Sequence, residues 1–312
     1  MAVYTEVPSE ELERFLHGYD AGSLLMAKGI AEGVSNSNFL LETTNGRFIL
    51  TLYERRIEEK EIPYFLALMT HLADAGLPVP RPVPDRRGTV LRHLLGKAAA
   101  LIQFLPGVSV SEPTPDHAHA AGEALARLHL AAADFRPVRA NALGVAASRA
   151  AAHHLGSRLD SLEAGLAGRV AASLSRLETR WPDHLPRGTI HADLFPDNVL
   201  FLGTRVSGLI DFYFAATDLL AYDFAVLRAA WSFTPDGSRF LAETDAALRL
   251  GYENVRPLLD AETAALPLLG EAACLRFLLT RALDWFERPA DAFVTPKDPL
   301  AFARRLAHYA AA

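Results

Sequence analysis

Gly188-Thr-Ile-His191-Ala-Asp193-Leu-Phe-Pro-Asp197-Asn198-Val-Leu-Phe-Leu202, with its sequel Leu209-Ile-Asp211-Phe212, is the stretch on which the fold of this chain turns. Val199 to Leu202 and Val206 to Ile210 are short apolar runs flanking a Gly203-Thr-Arg205 turn, the pattern of a β-hairpin. The polar residues stand just outside it: His191, Asp193 and Asn198 before the first strand, Asp211 after the second. A hairpin returns its ends to one side, so Asn198 and Asp211 are expected there together, with Asp193 on the loop leading in. One carboxylate to orient and deprotonate a hydroxyl, plus an Asn oxygen and a second carboxylate to hold Mg²⁺, is what phosphoryl transfer from a nucleotide requires. A lone His-x-Asp is more often a turn around a buried histidine; four such residues in a hairpin context carry more.

Outward from this stretch, the bulk properties narrow the class. A length of 312 residues fits one large domain or two lobes. Half the residues are hydrophobic and 22% are charged, as in ordinary globular proteins. The net charge of −6 argues against a general nucleic-acid binder. Cys274 is the only cysteine, so no intrachain disulfide is possible and a cytoplasmic location is comfortable. The first ten residues have neither a basic nor an apolar region of a signal peptide. The most apolar window, Leu266 to Leu283, is broken by Glu271, Arg276 and Arg281, which marks a buried helix and no membrane partner.

Upstream, Pro8-Ser9-Glu10-Glu11 reads as the start of an amphipathic helix with Ser9 as N-cap. Leu24 to Lys28, Asn38 to Thr43 and Arg47 to Tyr53 read as three strands, the last two joined by an Asn45-Gly46 type I′ turn. Between the first two lies Gly29-Ile-Ala-Glu32-Gly33-Val-Ser35-Asn36-Ser37-Asn38, whose small residues let backbone N–H groups approach phosphates; an ordinary hairpin loop is the bland alternative. A helix follows, with Pro63 tolerated in its first turn and apolar positions 62, 65, 66, 69, 72 and 73. Strands are expected near Thr89–Leu94 and Lys97–Phe104, and the Pro106-Gly107 break marks a boundary. Beyond it the chain becomes helical. Thr114-Pro115-Asp116 opens one helix, on which His129 is expected to pack. Others span Val170–Trp181, 239–252, 260–284 and 299–311.

The catalytic stretch resembles that of the aminoglycoside-phosphotransferase and choline-kinase group of small-molecule kinases. Their catalytic loop reads His-x-Asp-x-x-x-x-Asn, matched by His191, Asp193 and Asn198. The resemblance implies an α+β, two-lobed protein-kinase-like fold. A small antiparallel sheet plus one helix would form a nucleotide-binding lobe (1–105), and a mainly helical lobe (106–312) would carry catalysis and the acceptor. It implies ATP and Mg²⁺ as cofactors, Asp193 as base, His191 as loop support, and Asn198 and Asp211 as metal ligands. Gly33, Ser35, Asn36 and Ser37 would line the phosphate loop, and the hinge at Gln103–Leu105 would meet the adenine. Asp218 and Asp223 would brace the catalytic loop. Such kinases carry a Lys on the third strand, paired with a helix Glu for which Glu61 is the candidate. Here that Lys is absent, and Lys28, Arg47, Arg55 or Arg56 would have to substitute.

Three further stretches narrow the family: Gly33-Val-Ser-Asn36-Ser-Asn38-Phe39; Leu52-Tyr53-Glu54 with Ile62-Pro63-Tyr-Phe65-Leu-Ala-Leu-Met69; and Leu275-Arg276 through Asp284-Trp285 with Pro296-Lys297-Asp298-Pro299. Together they resemble the bacterial homoserine kinases of this superfamily, which implies a small-molecule acceptor, L-homoserine. A fixed Arg for its carboxylate and an acid for its amine are then needed. Arg281 and Asp284 share a helical face and are the candidates, unless they form a structural pair. A sibling kinase acting on choline, an aminoglycoside or methylthioribose, and a nucleotide-binding pseudokinase, stay open.

Overall fold

Apolar alternation in the first hundred residues gives a six-stranded antiparallel sheet, and the computed structural model describes residues 5–30, 36–54, 57–287 and 297–311. By contact the chain divides into two units. One comprises Met1–Pro106 with Gly208–Tyr213, the other Gly107–Ser207 with Phe214–Ala312. The second segment expected from the sequence ran unbroken from 106, but its six residues Gly208–Tyr213 group with the first unit.

In the first unit, α1 (Ser9–Leu16) buries Leu12, Phe15 and Leu16. Its N-cap is Pro8 and not Ser9, because Pro8 holds the extended backbone and its carbonyl accepts from Glu11 N (3.0 Å) and Leu12 N (3.2 Å). Strands β1 (Leu24–Ile30), β2 (Asn36–Thr43), β3 (Gly46–Tyr53), β4 (Pro82–Val83), β5 (Arg92–Leu94) and β6 (Lys97–Gln103) pair in the order β1-β2-β3-β6-β4, with β5 also on β6. α2 (Ile62–Asp74) follows a 3₁₀ turn at Glu59–Glu61 and carries Pro63 in its first turn.

Two local expectations need correction. Thr43 pairs with Gly46, so the β2–β3 turn centres on Thr44-Asn45, and only Gly46 takes a positive φ, of 132°. The strand expected from Thr89 begins only at Arg92, because Asp85 Oδ1 accepts from Arg87 N (2.9 Å) and Thr89 N (2.8 Å) and holds that segment in a turn.

Residues opposite one another in a ladder share a face of the sheet. The register therefore puts Lys28, Leu40 and Ile49 on one face with Asn38, Thr51 and Ala100, and with Asn36 and Tyr53 at its end. The other face carries Phe39, Leu41, Leu50, Leu52, Ala99 and Leu101, and packs on α1.

The second unit holds α3 (Pro115–Ala131), α4 (Val145–Leu155), α5 (Leu166–Arg180), β7 (Arg187–Ile190), β8 (Val199–Leu202), the start of β9 (Arg205–Leu209), β10 (Ala216–Leu219), α6 (Leu220–Trp231), α7 (Ala242–Glu253), α8 (Asp260–Glu287) and α9 (Leu300–Ala310). Thr114 caps α3 in a capping box with His117. β8 and β9 pair as the expected hairpin, with Gly203 at φ 64° in its turn. β10, which pairs antiparallel with β7, was not foreseen. α8 is long and apolar enough to cross a membrane by length and composition, yet 67% of its most apolar window is buried, packed with α4, α5, α6 and α9.

α3 and α7 approach through glycines on both sides. A Cβ on Gly122 would meet Leu248 O at 2.1 Å, and one on Gly251 would meet His119 O at 2.0 Å. Gly251→Ala forces backbone apart and is expected to lower stability by about 1–3 kcal/mol, measured as the denaturant midpoint of unfolding.

Candidate active site

β7 delivers the chain to His191, which is fully buried. The next two peptides are gripped by distant side chains. Asp223, in the first turn of α6, accepts from His191 N with Oδ2 (2.7 Å) and from Ala192 N with Oδ1 (2.7 Å). Arg276 of α8 donates through Nη1 to Ala192 O. Held on both sides, Ala192 sits at φ 64°, a left-handed conformation that costs an alanine about 1–2 kcal/mol. The turn this imposes presents Asp193.

Asp193 is backed by its own loop. Its backbone N donates to His191 Nδ1 (3.3 Å), so the His191 ring takes part as an acceptor. Asn198 Nδ2 donates to Asp193 O (2.7 Å) and to Oδ2 (3.2 Å), closing the loop through the 3₁₀ turn Pro196–Asn198. Trp231 Nε1 adds a bond to Leu194 O (2.9 Å). Arg276 Nη2 lies 4.0 Å from Asp193 Oδ1, and its guanidinium stacks on the Phe277 ring at 4.4 Å. The Asp193 side chain is 17% exposed, accessible to an acceptor while shielded enough to matter electrostatically.

Behind the loop lies a buried polar chain. His129 Nε2 bonds Asp223 Oδ2 (3.0 Å) and Nδ1 bonds the Tyr252 hydroxyl (2.8 Å), while Arg256 donates to Tyr252 (3.1 Å) and Glu262 (2.8 Å). Burial raises the Asp223 pKa, but the His129 bond, the charges of His129 and His191, and the His191 N–H together hold it below the ordinary carboxylate value. His129 is packed, as its place on the apolar stripe of α3 implied. Of the two acids expected to brace the loop, only Asp223 touches it. Asp218 sits in β10, where it accepts from Asn141 Nδ2 (2.9 Å) and pairs with Arg187 (3.2 Å).

On α8, Arg281 is half-buried over the Phe302 ring at 4.5 Å and donates to Asp298 O (3.2 Å). Burial, with the charge of Arg305, lowers it to about 10 against the pull of Asp197, Asp193 and Asp298. Asp284 is exposed on the same helix. Lys297 pairs with Asp197 of the catalytic loop (2.9 Å). Arg276, which fixes the loop, lies 84 positions from Ala192. Its sequence signal was one of three charges, with Glu271 and Arg281, interrupting the most apolar window of the chain.

In the first unit, Gly33 and Ser35 of the phosphate loop, with Arg55 and Arg56, lie outside the described residues. Asn36 Oδ1 accepts from Glu54 N (3.4 Å). The Ser37 hydroxyl donates to Glu54 Oε1 (2.7 Å) on the α1 face, where Lys97 also pairs with Glu54. Ser37 therefore turns its side chain away from the Thr51 face. Glu61 ends the 3₁₀ turn before α2. Gln103 N donates to Arg81 O (2.8 Å), and Leu105 follows β6 with no backbone partner among the described residues. Thr51, mid-strand where a lysine was sought, bonds Asn38 Oδ1 (2.8 Å). Lys28 and Arg47 share its face, and Arg47 pairs with Glu42 (3.5 Å). Asp211 adopts φ 64° at the end of the hairpin.

The described residues contain no cluster of three or more His, Cys, Asp or Glu able to hold a metal. A nucleotide-dependent magnesium site needs fewer, since phosphates and water complete it. Asn198 and Asp211 fit that donor set. The Asn198 amide nitrogen is turned to Asp193, which leaves its hard oxygen as the available donor.

A family profile described as the phosphotransferase enzyme family matches residues 27–258. The homoserine kinase of Xanthobacter autotrophicus is 54% identical over 306 residues, covering 98% of this chain and 95% of its own length. That of Gluconobacter oxydans is 54% identical over 314 residues, covering 100% and 99%. Among solved structures, an amicoumacin kinase in complex with AMP-PNP and Ca²⁺ superimposes with a TM-score of 0.72 at 17% identity, covering 97% of this chain and 92% of that one. A spectinomycin phosphotransferase in complex with ADP and spectinomycin gives 0.69 at 13%, covering 97% and 100%. The chain belongs to the phosphotransferase enzyme family and, within it, to the homoserine kinases. Its α+β fold is protein-kinase-like, with a small antiparallel sheet followed by a mostly helical remainder.

Proposed function

We propose that this chain transfers the γ-phosphate of ATP to the hydroxyl of L-homoserine, giving O-phospho-L-homoserine on the route to threonine, in the cytoplasm. The observation that carries this reading is Asp193, presented on a loop clasped by Asp223 and Arg276 and backed by Asn198, in a chain so close to homoserine kinases along its whole length. Asp193 accepts the proton of the attacking hydroxyl as the bond to phosphorus forms. His191 supports the loop. Asn198 and Asp211 would hold Mg²⁺, which when bound neutralises charge on the phosphate oxygens. Backbone N–H groups of the Gly33–Ser37 loop receive the phosphates, and Gln103–Leu105 receives the adenine edge.

Arg281 binds the homoserine carboxylate and Asp284 its ammonium. A planar guanidinium offers two parallel bonds that an ammonium cannot. Arg281→Lys is thus expected to raise KM for homoserine about tenfold, with KM for ATP unchanged, as read by initial rates. The reaction itself is tested by ADP release with Mg-ATP against L-homoserine, choline, methylthioribose, kanamycin and L-serine. Turnover with homoserine alone is expected. Turnover with another acceptor would discard the substrate, and nucleotide binding with no turnover would mark a pseudokinase.

A further inference from the structure

Strand β3, which lacks a lysine, ends in one member of a tyrosine pair, all within the first unit. Tyr53 ends β3 on the face of Thr51 and Lys28, and it is buried. Its hydroxyl lies 3.4 Å from that of Tyr213, and the rings meet edge to face at 5.4 Å. Tyr213 stands two residues after Asp211, in the 3₁₀ turn Phe212–Phe214, and packs against Phe65 of α2 at 5.8 Å. Two residues before Asp211, Leu209 N donates to Pro78 O (2.8 Å). The Lys97–Glu54 pair offers no substitute, because Glu54 follows Leu52 in alternation and lies on the α1 face, together with Thr5. Burial raises both phenols, Tyr213 to about 12, so the pair stays neutral and acts by hydrogen bonding.

We infer that Tyr53 and Tyr213 are positioning residues that tie the Asp211 segment to β3 through a neutral hydroxyl contact. This rests on the assignment of Asp211 as a magnesium ligand. With its neighbours anchored through Tyr53 and Pro78, Asp211 is held at its left-handed φ, and its carboxylate direction is fixed before the metal arrives. A Phe at either position keeps the ring packing and deletes the hydroxyl.

The test is the tightening of ADP binding by Mg²⁺, read by titration calorimetry on the full chain. In Tyr53→Phe and Tyr213→Phe that tightening is expected to shrink about fivefold, the size of one lost hydrogen bond, while metal-free ADP binding holds. The double variant is expected to be no worse than either single. Wild-type tightening in both Phe variants, with tightening lost in Asp211→Asn, would overturn the tyrosine role and leave the Asp211 assignment standing. Tightening retained in Asp211→Asn would overturn that assignment and this proposal with it. A drop in Tm with unchanged Mg²⁺ tightening would mark the pair as packing alone, and would equally overturn it.

Discussion

Asp193→Asn is expected to cut kcat for homoserine phosphorylation by roughly a thousandfold, the usual scale for loss of a general base. The side chain keeps its size, so the Asn198 bond to the Asp193 carbonyl at 2.7 Å and the clasp on Ala192 are retained. Homoserine and ADP affinities are therefore expected to stay within a few-fold, and thermal unfolding to stay close to wild type. Calorimetric binding beside steady-state rates separates the two effects. Unchanged turnover would remove Asp193 from the chemistry.

Asp223→Ala is expected to cause the largest loss of stability, about 3–5 kcal/mol. Three buried donors, His191 N, Ala192 N and His129 Nε2, lose one carboxylate at once. Asp223→Asn keeps the volume, but its amide nitrogen faces groups that are themselves donors, so the loop still loosens and turnover falls. The pH dependence follows from the depressed carboxylate. Between its folded value and the unfolded value of about 3.9, the unfolded chain binds more protons. The stabilisation is thus complete above the unfolded value and disappears as pH falls through the folded one. Urea unfolding of wild type and Asp223→Asn from pH 7 downward should show the gap between them closing in acid. A gap constant with pH would mean that charge is not what Asp223 contributes.

The catalytic loop was legible because its chemistry is local. His191, Asp193 and Asn198 lie within one short run, and the hairpin after them is marked by two apolar strands and a Gly203 turn. What grips that loop was partly hidden, since Asp223 and Arg276 reach it from helices 31 and 84 positions away in the chain. Asp223 was foreseen through the family pattern, whereas Arg276, noted beside Arg281 and Asp284, gave no sign that it reaches Ala192 O. Register was less legible still. Asn45-Gly46 is the strongest hairpin pair in a sequence, yet Thr43 and Thr44 hydroxyls, bonding Asn45 N (3.2 Å) and Ser23 N (3.0 Å), accompany a turn set one residue earlier. The search for a strand lysine likewise weighed residue type before sheet face. Of the candidates Lys28, Arg47, Arg55 and Arg56, the first two share the Thr51 face, and the last two lie outside the described residues.

The membership of Gly208–Tyr213 in the first unit bears on how the protein is made. Synthesis runs from the amino terminus, so Met1–Pro106 leaves the ribosome long before the strip that completes it. At about 5–20 residues per second the delay is on the order of ten seconds. During that interval Pro78 O lacks the Leu209 N–H, and Tyr53 and Phe65 lack the Tyr213 ring. Until the strip emerges, the first unit lacks those contacts. A gene cut at Pro106 would release that unfinished form permanently.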